Sequence, residues 1–272
     1  MNQDLKRQLR ESVTAWVKDT YAGAVEVAPH SGQRFVFRQD SKAVKLLVPL
    51  NDNERERCER EVSFLRAETV KGLPTVLSDL DEVGIAGHSF FVYEEAWIDA
   101  LSVKERVETD GPGQEDAGLI LAQGSRILRD LHRLRVVHRD VSPGNVLVGD
   151  GSVSIVDLGL AKYLDLDPVT RTSEQIKMTI AFASPEQITG GSSLLEPPTD
   201  VFSLALVAIF AHTGQLAYLA GGEMFVYEDY LARMAHQDLL VDISGLPEIV
   251  HEMLNPIAAY RPSADRVFEA LK

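Results

Sequence analysis

The stretch from Val136 to Lys162, VVHRDVSPGNVLVGDGSVSIVDLGLAK, constrains this chain more than any other. Two β-rich runs, Val146–Val148 and Val153–Val156, flank a Gly-Asp-Gly turn and predict a hairpin. His138-Arg139-Asp140 stands just before the first run, with Asn145 five residues after the aspartate. Asp157-Leu158-Gly159 stands just after the second run. Such a hairpin gathers Asp140, Asn145 and Asp157 at one end, on loops that strands anchor. Three oxygen-rich side chains at one point suit a hard cation such as Mg²⁺ together with a proton acceptor.

With 272 residues, 45% of them hydrophobic, the chain can bury a substantial core, and its length allows one or two domains. The net charge of −14 argues against nucleic acid as a partner, because nucleic-acid binders show a basic face. It also requires that any site for an anionic nucleotide be rescued locally by a metal and a few cations. The single cysteine, Cys58, excludes an internal disulfide and fits a reducing, cytoplasmic setting. The charged start MNQDLKRQLRE has no apolar core and does not read as a signal peptide. The most apolar run, Val201 to Ala211, is too short to span a bilayer and predicts a buried helix, so no membrane partner is expected.

Leu5, Leu9, Val13 and Trp16 recur at helical spacing and predict an amphipathic helix over Met1 to Lys18, packed on the body of the protein. Three β-branched segments between residues 22 and 49 read as antiparallel strands. Asn51 or Asp52 can cap a helix over about Asn53 to Glu68, with Cys58, Val62 and Leu65 on one face. Two more strands are expected near Thr75–Val83 and Ser89–Glu94, and beyond Trp97 the pattern is mainly helical. A sheet-rich first third followed by a helical remainder predicts an α+β fold of two lobes joined near Glu94–Ala96. The division reads as a helical extension over 1–20, a small lobe over 21–95 and a larger one over 96–272.

The central stretch resembles the HRD-x4-N and D-F-G loops of eukaryotic-like (Hanks-type) serine/threonine protein kinases, and further segments match in the same order. Ala43 and Lys45, two apart and so on one side of a strand, look like the end of the family's V-A-I-K motif. The resemblance implies that Lys45 contacts nucleotide phosphates and that a glutamate of the following helix pairs with it. Glu61 suits this role better than Glu59, because the apolar Leu65 follows it by four residues. Asp140 would accept or orient the proton of the acceptor hydroxyl, and Asn145 and Asp157 would hold Mg²⁺. His138 would be a packed strut. Val36, Ala43 and Leu147 would sandwich the adenine of ATP, with Glu94, Ala96 and Gly32 also near the nucleotide.

Met178-Thr-Ile-Ala-Phe-Ala-Ser-Pro-Glu186 resembles the family's G-T-x-x-Y-x-A-P-E, with Thr179 and Pro185-Glu186 matching. Asp200 looks like the aspartate that braces the catalytic loop, and Arg261 like the arginine that pairs with Glu186. Three departures stand out. Pro29 to Val36 carries one glycine, Gly32, where three are usual; Leu158 replaces Phe; and Ser142 replaces the lysine found two residues after the catalytic aspartate.

The resemblance implies a protein kinase that moves the γ-phosphoryl group of ATP to Ser or Thr hydroxyls of a protein, itself included. A pseudokinase scaffold is the first alternative, favoured by the sparse glycine loop and opposed by Lys45, Asp140, Asn145 and Asp157. An antibiotic-type phosphotransferase is the second, opposed by the S-P-E segment, Asp200 and Arg261. Substrate identity and oligomeric state are not legible.

Overall fold

The computed structural model describes residues 3–27, 34–49, 51–165, 180–190, 196–219 and 227–272. These fold as two compact units: Met1–Thr69 with Pro74–Asp99, and Val70–Leu73 with Ala100–Lys272. The change from sheet-rich to helical sequence predicts a division after Glu95, with the first 20 residues apart. Here the division falls after Asp99, and the N-terminal helix belongs to the first unit.

In the first unit, helix α1 (Gln3–Thr20) precedes strands β1 (Val25–Val27), β2 (Arg34–Gln39) and β3 (Lys42–Leu47), helix α2 (Asp52–Ala67), and strands β4 (Asp81–Ile85) and β5 (His88–Ala96). The strands form one antiparallel sheet in the order β1-β2-β3-β5-β4. Two-residue turns at Asp40-Ser41 and Ala86-Gly87 join its hairpins, and positive φ at Asp40, Ala86 and Gly87 matches the twist of the strands. Asn51 caps α2 by accepting from the Glu54 N–H at 3.0 Å, and acids lie in its first turn with Arg66 in its last.

Alternation along β3 sends its side chains to two cores. Val44, Leu46 and Val48 meet Leu9, Val13 and Val17 of α1 together with Phe35, Phe37, Phe90 and Val92. Leu47 meets Cys58 and Val62 of α2, with Phe91 and Tyr93. The sheet is therefore covered by a helix on each face, and α1 is a structural layer. Fully burying an aliphatic side chain stabilises by about 1.5–3 kcal/mol, so three from α1 hold it firmly. The expected strand over Thr75–Val83 starts only at Asp81. Pro74 and the polar Ser78-Asp79 interrupt the alternation, and residues 75–77 instead meet the end of β5 through Ala96 N–H to Thr75 and Leu77 N–H to Glu94.

The second unit opens with strand β6 (Leu101–Ser102) and helices α3 (Val103–Asp110) and α4 (Gln114–Leu119), then a π-helical turn over Ile120–Gly124 and helix α5 (Ser125–Arg133). Strands β7 (Val136–Val137), β8 (Val146–Gly149), β9 (Ser152–Ile155) and β10 (Lys162–Tyr163) follow. Helices α6 (Pro185–Thr189), α7 (Pro198–Thr213), α8 (Tyr227–His236), α9 (Ile249–Met253) and α10 (Ala264–Ala270) complete it. Strands β8 and β9 form the expected hairpin around Asp150-Gly151, and β6 adds to β8. Nearly every residue of α7 from Thr199 to Ala211 is buried, as a helix apolar all round must be. Gly72, at φ +99°, passes its carbonyl to the Ile155 N–H; a Cβ there would lie 2.5 Å from Ile127 Cδ1. Only glycine fits. Among the described residues, no helix is long and apolar enough to cross a membrane.

Candidate active site

The loop between β7 and β8, which carries the expected catalytic residues, is shaped around the buried carboxylate of Asp200, the first-turn acid of α7. Asp200 Oδ2 accepts from the His138 N–H at 2.8 Å and Oδ1 from the Arg139 N–H at 2.7 Å. The His132 ring lies 2.9 Å from the same carboxylate. These bonds fix Arg139 at φ +69°, a region that costs a non-glycine residue about 1–2 kcal/mol. Hydrogen bonds to a charged acceptor contribute about 1.5–3 kcal/mol each, enough to hold it there. The predicted brace is in place.

His138 is fully buried; its Nδ1 accepts from the Asp140 N–H at 3.2 Å and its Nε2 faces the Val156 carbonyl at 3.2 Å. It ties the loop to the end of β9 and serves as a strut. Asn145 Nδ2 donates to the Asp140 carbonyl at 2.9 Å and to Asp140 Oδ2 at 2.8 Å. The Asn145 carbonyl in turn accepts from the Val156 N–H at 2.9 Å, next to Asp157. Asp157, at φ +70°, accepts the Gly159 N–H on Oδ1 at 3.1 Å. Asp140, Asn145 and Asp157 thus come together at one end of the hairpin. With its amide nitrogen committed to Asp140, Asn145 has Oδ1 to offer a cation. Ser142 is buried, and its carbonyl caps the turn by accepting from Asn145 and Val146. Leu158 is buried, and Leu147 half-buried on β8.

Further along, Arg261 forms two hydrogen bonds with Glu186, at 2.6 and 2.9 Å, and Thr199 donates to the same carboxylate at 2.8 Å. Burial alone would push the Glu186 pKa up; the bonds and charge of Arg261 outweigh it, and the net shift is down. Gln187, which the sequence reading passed over, donates to the Arg139 carbonyl at 2.8 Å and ties this segment to the catalytic loop. The S-x-x-Q spacing of Ser184 and Gln187, a capping-box signature, was the available signal.

The first unit departs from expectation. Lys45 is there on β3 beside Ala43, but its ion pair, at 2.6 Å, is with Glu95 of β5. Glu61 is buried on α2 as expected, yet it is gripped by Arg34 of β2 through two bonds of 3.1 and 2.5 Å. The expected Lys45–Glu61 pair is replaced by two others, because Arg34 and Val36 share the Lys45 face of the sheet and Arg34 supplies a planar fork that fits a carboxylate. Glu94 has partners of its own within the unit. Its side chain pairs with Lys42 at 2.7 Å, its N–H goes to Ser78 Oγ, and its carbonyl accepts from Leu77. The Ala96 N–H is likewise committed, to Thr75. Gly32 and Thr179 lie outside the described residues. Burial pushes the Cys58 thiol up to about 12, so it is no nucleophile.

Residues 38–270 match the family described as protein kinase domain. The chain is 30% identical over 211 residues to a serine/threonine-protein kinase of Corynebacterium efficiens, drp72, covering 74% of this chain and 40% of that protein. Over 155 residues it is 35% identical to serine/threonine-protein kinase PknA of Mycobacterium tuberculosis, covering 54% and 35% of the two. With serine/threonine-protein kinase PrkC of Bacillus subtilis it shares 27% over 172 residues, 62% of this chain and 25% of that one. The chain spans two fifths or less of the length of these relatives.

Proposed function

Because the chain belongs to the protein kinase family, we propose that it transfers the γ-phosphoryl group of ATP to serine or threonine hydroxyls of a protein. The observation that carries this reading is the array of Asp140, Asn145 and Asp157, held by Asp200 and the β8–β9 hairpin. Phosphoryl transfer asks a protein mainly for positioning and charge stabilisation, and main-chain anchoring supplies the first. Asp140, oriented by Asn145, would receive the acceptor hydroxyl's proton. Asn145 Oδ1 and the Asp157 carboxylate are hard oxygen donors of the kind Mg²⁺ takes alongside phosphate oxygens and water. Bound there, the ion would neutralise charge on the transferring phosphate. The donor set fits. Lys45 would meet the phosphates, with Val36, Ala43 and Leu147 as apolar contacts for the base.

The relatives named as serine/threonine-protein kinases support this acceptor class. The Glu186–Arg261 pair and the Asp200 brace favour it over a small-molecule phosphotransferase, which lacks both. The pure protein, incubated with γ-labelled ATP and Mg²⁺, is expected to place label on its own serine or threonine or on an added acceptor protein. Transfer of label to an aminoglycoside alone, or to nothing, would contradict the reading.

A further inference from the structure

Four buried or nearly buried charges in the first unit are arranged in a way that the reaction alone does not explain. Arg34 of β2, Lys45 of β3 and Glu95 of β5 share one face of the sheet, and α2 brings Glu61 to that group. The register sets Lys45 opposite Tyr93 and Ala43 opposite Glu95, which makes Glu95 the diagonal neighbour of Lys45. Diagonal cross-strand neighbours lie within reach of long side chains, and here Nζ comes to 2.6 Å from Oε2. The ammonium also lies 5.9 Å from the centre of the Tyr93 ring. Arg34 meanwhile occupies both oxygens of Glu61.

We propose that Glu95 is the positioning residue for Lys45, the part that the resemblance gives to Glu61, and that Glu61 serves Arg34 and the seating of α2. The proposal rests on the phosphotransferase reading, from which Lys45 takes its role at the phosphates. Two physical arguments support it. The first is rigidity. Lys45 and Glu95 stand on adjacent strands of one hydrogen-bonded ladder, so their spacing is set by main chain and does not change when a helix shifts. A partner on α2 would move with α2.

The second argument is electrostatic. Glu95 is 3% exposed, and its Oε1 finds no hydrogen-bond partner among the described residues. A buried carboxylate with half its acceptors unused depends on the cation it touches, here Lys45, and that cation is held in return. Burial pushes the Glu95 pKa up, while Lys45 beside it acts in the opposite direction. Arg34 and Lys45 are both long cations on one face, but only Arg34 offers the two parallel donors that Glu61 accepts. The exchange therefore follows from a fork on β2 and an acid on β5.

The test reads Lys45 directly, without calling on activity. The folded full chain, free of nucleotide, is treated briefly with acetic anhydride, and acetylation of Lys45 is quantified by mass spectrometry in wild type, Glu95→Gln and Glu61→Gln. Glu95→Gln is expected to raise labelling of Lys45 by about threefold or more, since it removes the charge that withholds the amine. Glu61→Gln is expected to lower the melting temperature and leave Lys45 labelling unchanged. In steady-state kinetics Glu95→Gln should lower kcat/KM for ATP by roughly tenfold or more, mostly through KM. If Glu95→Gln does not fold, Glu95→Asp keeps the charge one methylene short, and labelling above wild type supports the proposal. Labelling that responds to Glu61→Gln, alone or equally, overturns it, as does unchanged labelling in the Glu95 variant. A wild-type protein that transfers no phosphate would sink the phosphotransferase reading, while the labelling would still decide which carboxylate holds Lys45.

Discussion

In the second unit the candidate site's side chains lean largely on main chain; in the first the charged ones are held by one another. Asp200 accepts two backbone N–H groups, Asn145 binds the Asp140 carbonyl, and Asp157 takes the Gly159 N–H. Across the sheet of the first unit, by contrast, Lys45 pairs with Glu95, Arg34 with Glu61 and Lys42 with Glu94. Main-chain anchoring fixes geometry by loop length, so it travels with a motif's spacing. Pairing between long side chains is set by which of several neighbours reaches first, and one extra fork on an adjacent strand can reassign it. The second unit accordingly kept the arrangement that its motifs imply, and the first did not.

The largest effect should come from removing the brace. In Asp200→Ala, two N–H groups lose their acceptor, at about 1–3 kcal/mol for each donor left buried and unpaired. Denaturant unfolding should show that loss, and phosphoryl transfer should fall by roughly a hundredfold as the loop relaxes. An Asp200→Ala protein with wild-type stability would erase the contrast between the units.

Next is Arg261→Ala, which leaves Glu186 without its cation; breaking a buried pair from one side costs about 3–5 kcal/mol. Because the pair holds the Glu186 pKa below the usual carboxylate range, its contribution is present above the unfolded value. It is lost as pH falls through the lower folded value. Wild type and Glu186→Gln should therefore converge in stability as pH falls from neutrality through the folded value. Parallel curves would show that the pair contributes nothing through its charge.

Arg139 gives a smaller, conditional effect. Its Nε and Nη2 are buried with no hydrogen-bond partner among the described residues, which suits a phosphate arriving from the segment that carries Thr170, Thr172 and Ser173. Those three lie outside the described residues. Active protein should carry phosphate on at least one of them, and phosphatase treatment should slow transfer about tenfold. Mass spectrometry finding all three unmodified in fully active protein would count against this.

Comparable in size is the effect of Ser142→Lys. The family's lysine would give a charged hydrogen bond in place of a neutral one, a gain of roughly 1–2 kcal/mol, or about five- to thirty-fold in rate. Lys162, one candidate to fill that role already, also lies 3.4 Å from Glu196. Unchanged peptide turnover in Ser142→Lys, with Ser142→Ala also silent, would mean that another cation serves there.

What could be read in advance divides along the same line. The hairpin and the convergence of Asp140, Asn145 and Asp157 follow from short-range spacing, whereas the Asp200 brace and the Glu186–Arg261 pair are legible only through the resemblance to protein kinases. The five strands and the cap at Asn51 were legible from alternation and turn residues. Period-two alternation could have placed Glu95, rather than Glu94, on the face of Tyr93 and Phe91. Which acid then reaches Lys45 depends on the β3–β5 register, and a sequence read strand by strand does not contain it. Nothing in the local pattern of β2 says that Arg34 meets Glu61, which α2 brings to it. The late start of β4 likewise reflects contacts of residues 75–77 with β5 that no local pattern announces.

The measurement that bears most directly on the account is phosphoryl transfer by Asp140→Asn, with nucleotide binding measured on the same sample. The substitution preserves shape and the hydrogen bond from Asn145, and it removes only the group that would take the acceptor's proton, a role contributing about 10²–10⁴ in rate. The account predicts labelling from γ-labelled ATP well under roughly a tenth of wild type, with the same melting temperature and ATP affinity. Asp140→Asn that labels itself at wild-type rate would contradict it, since the carboxylate that Asn145 orients would then have no part in the chemistry.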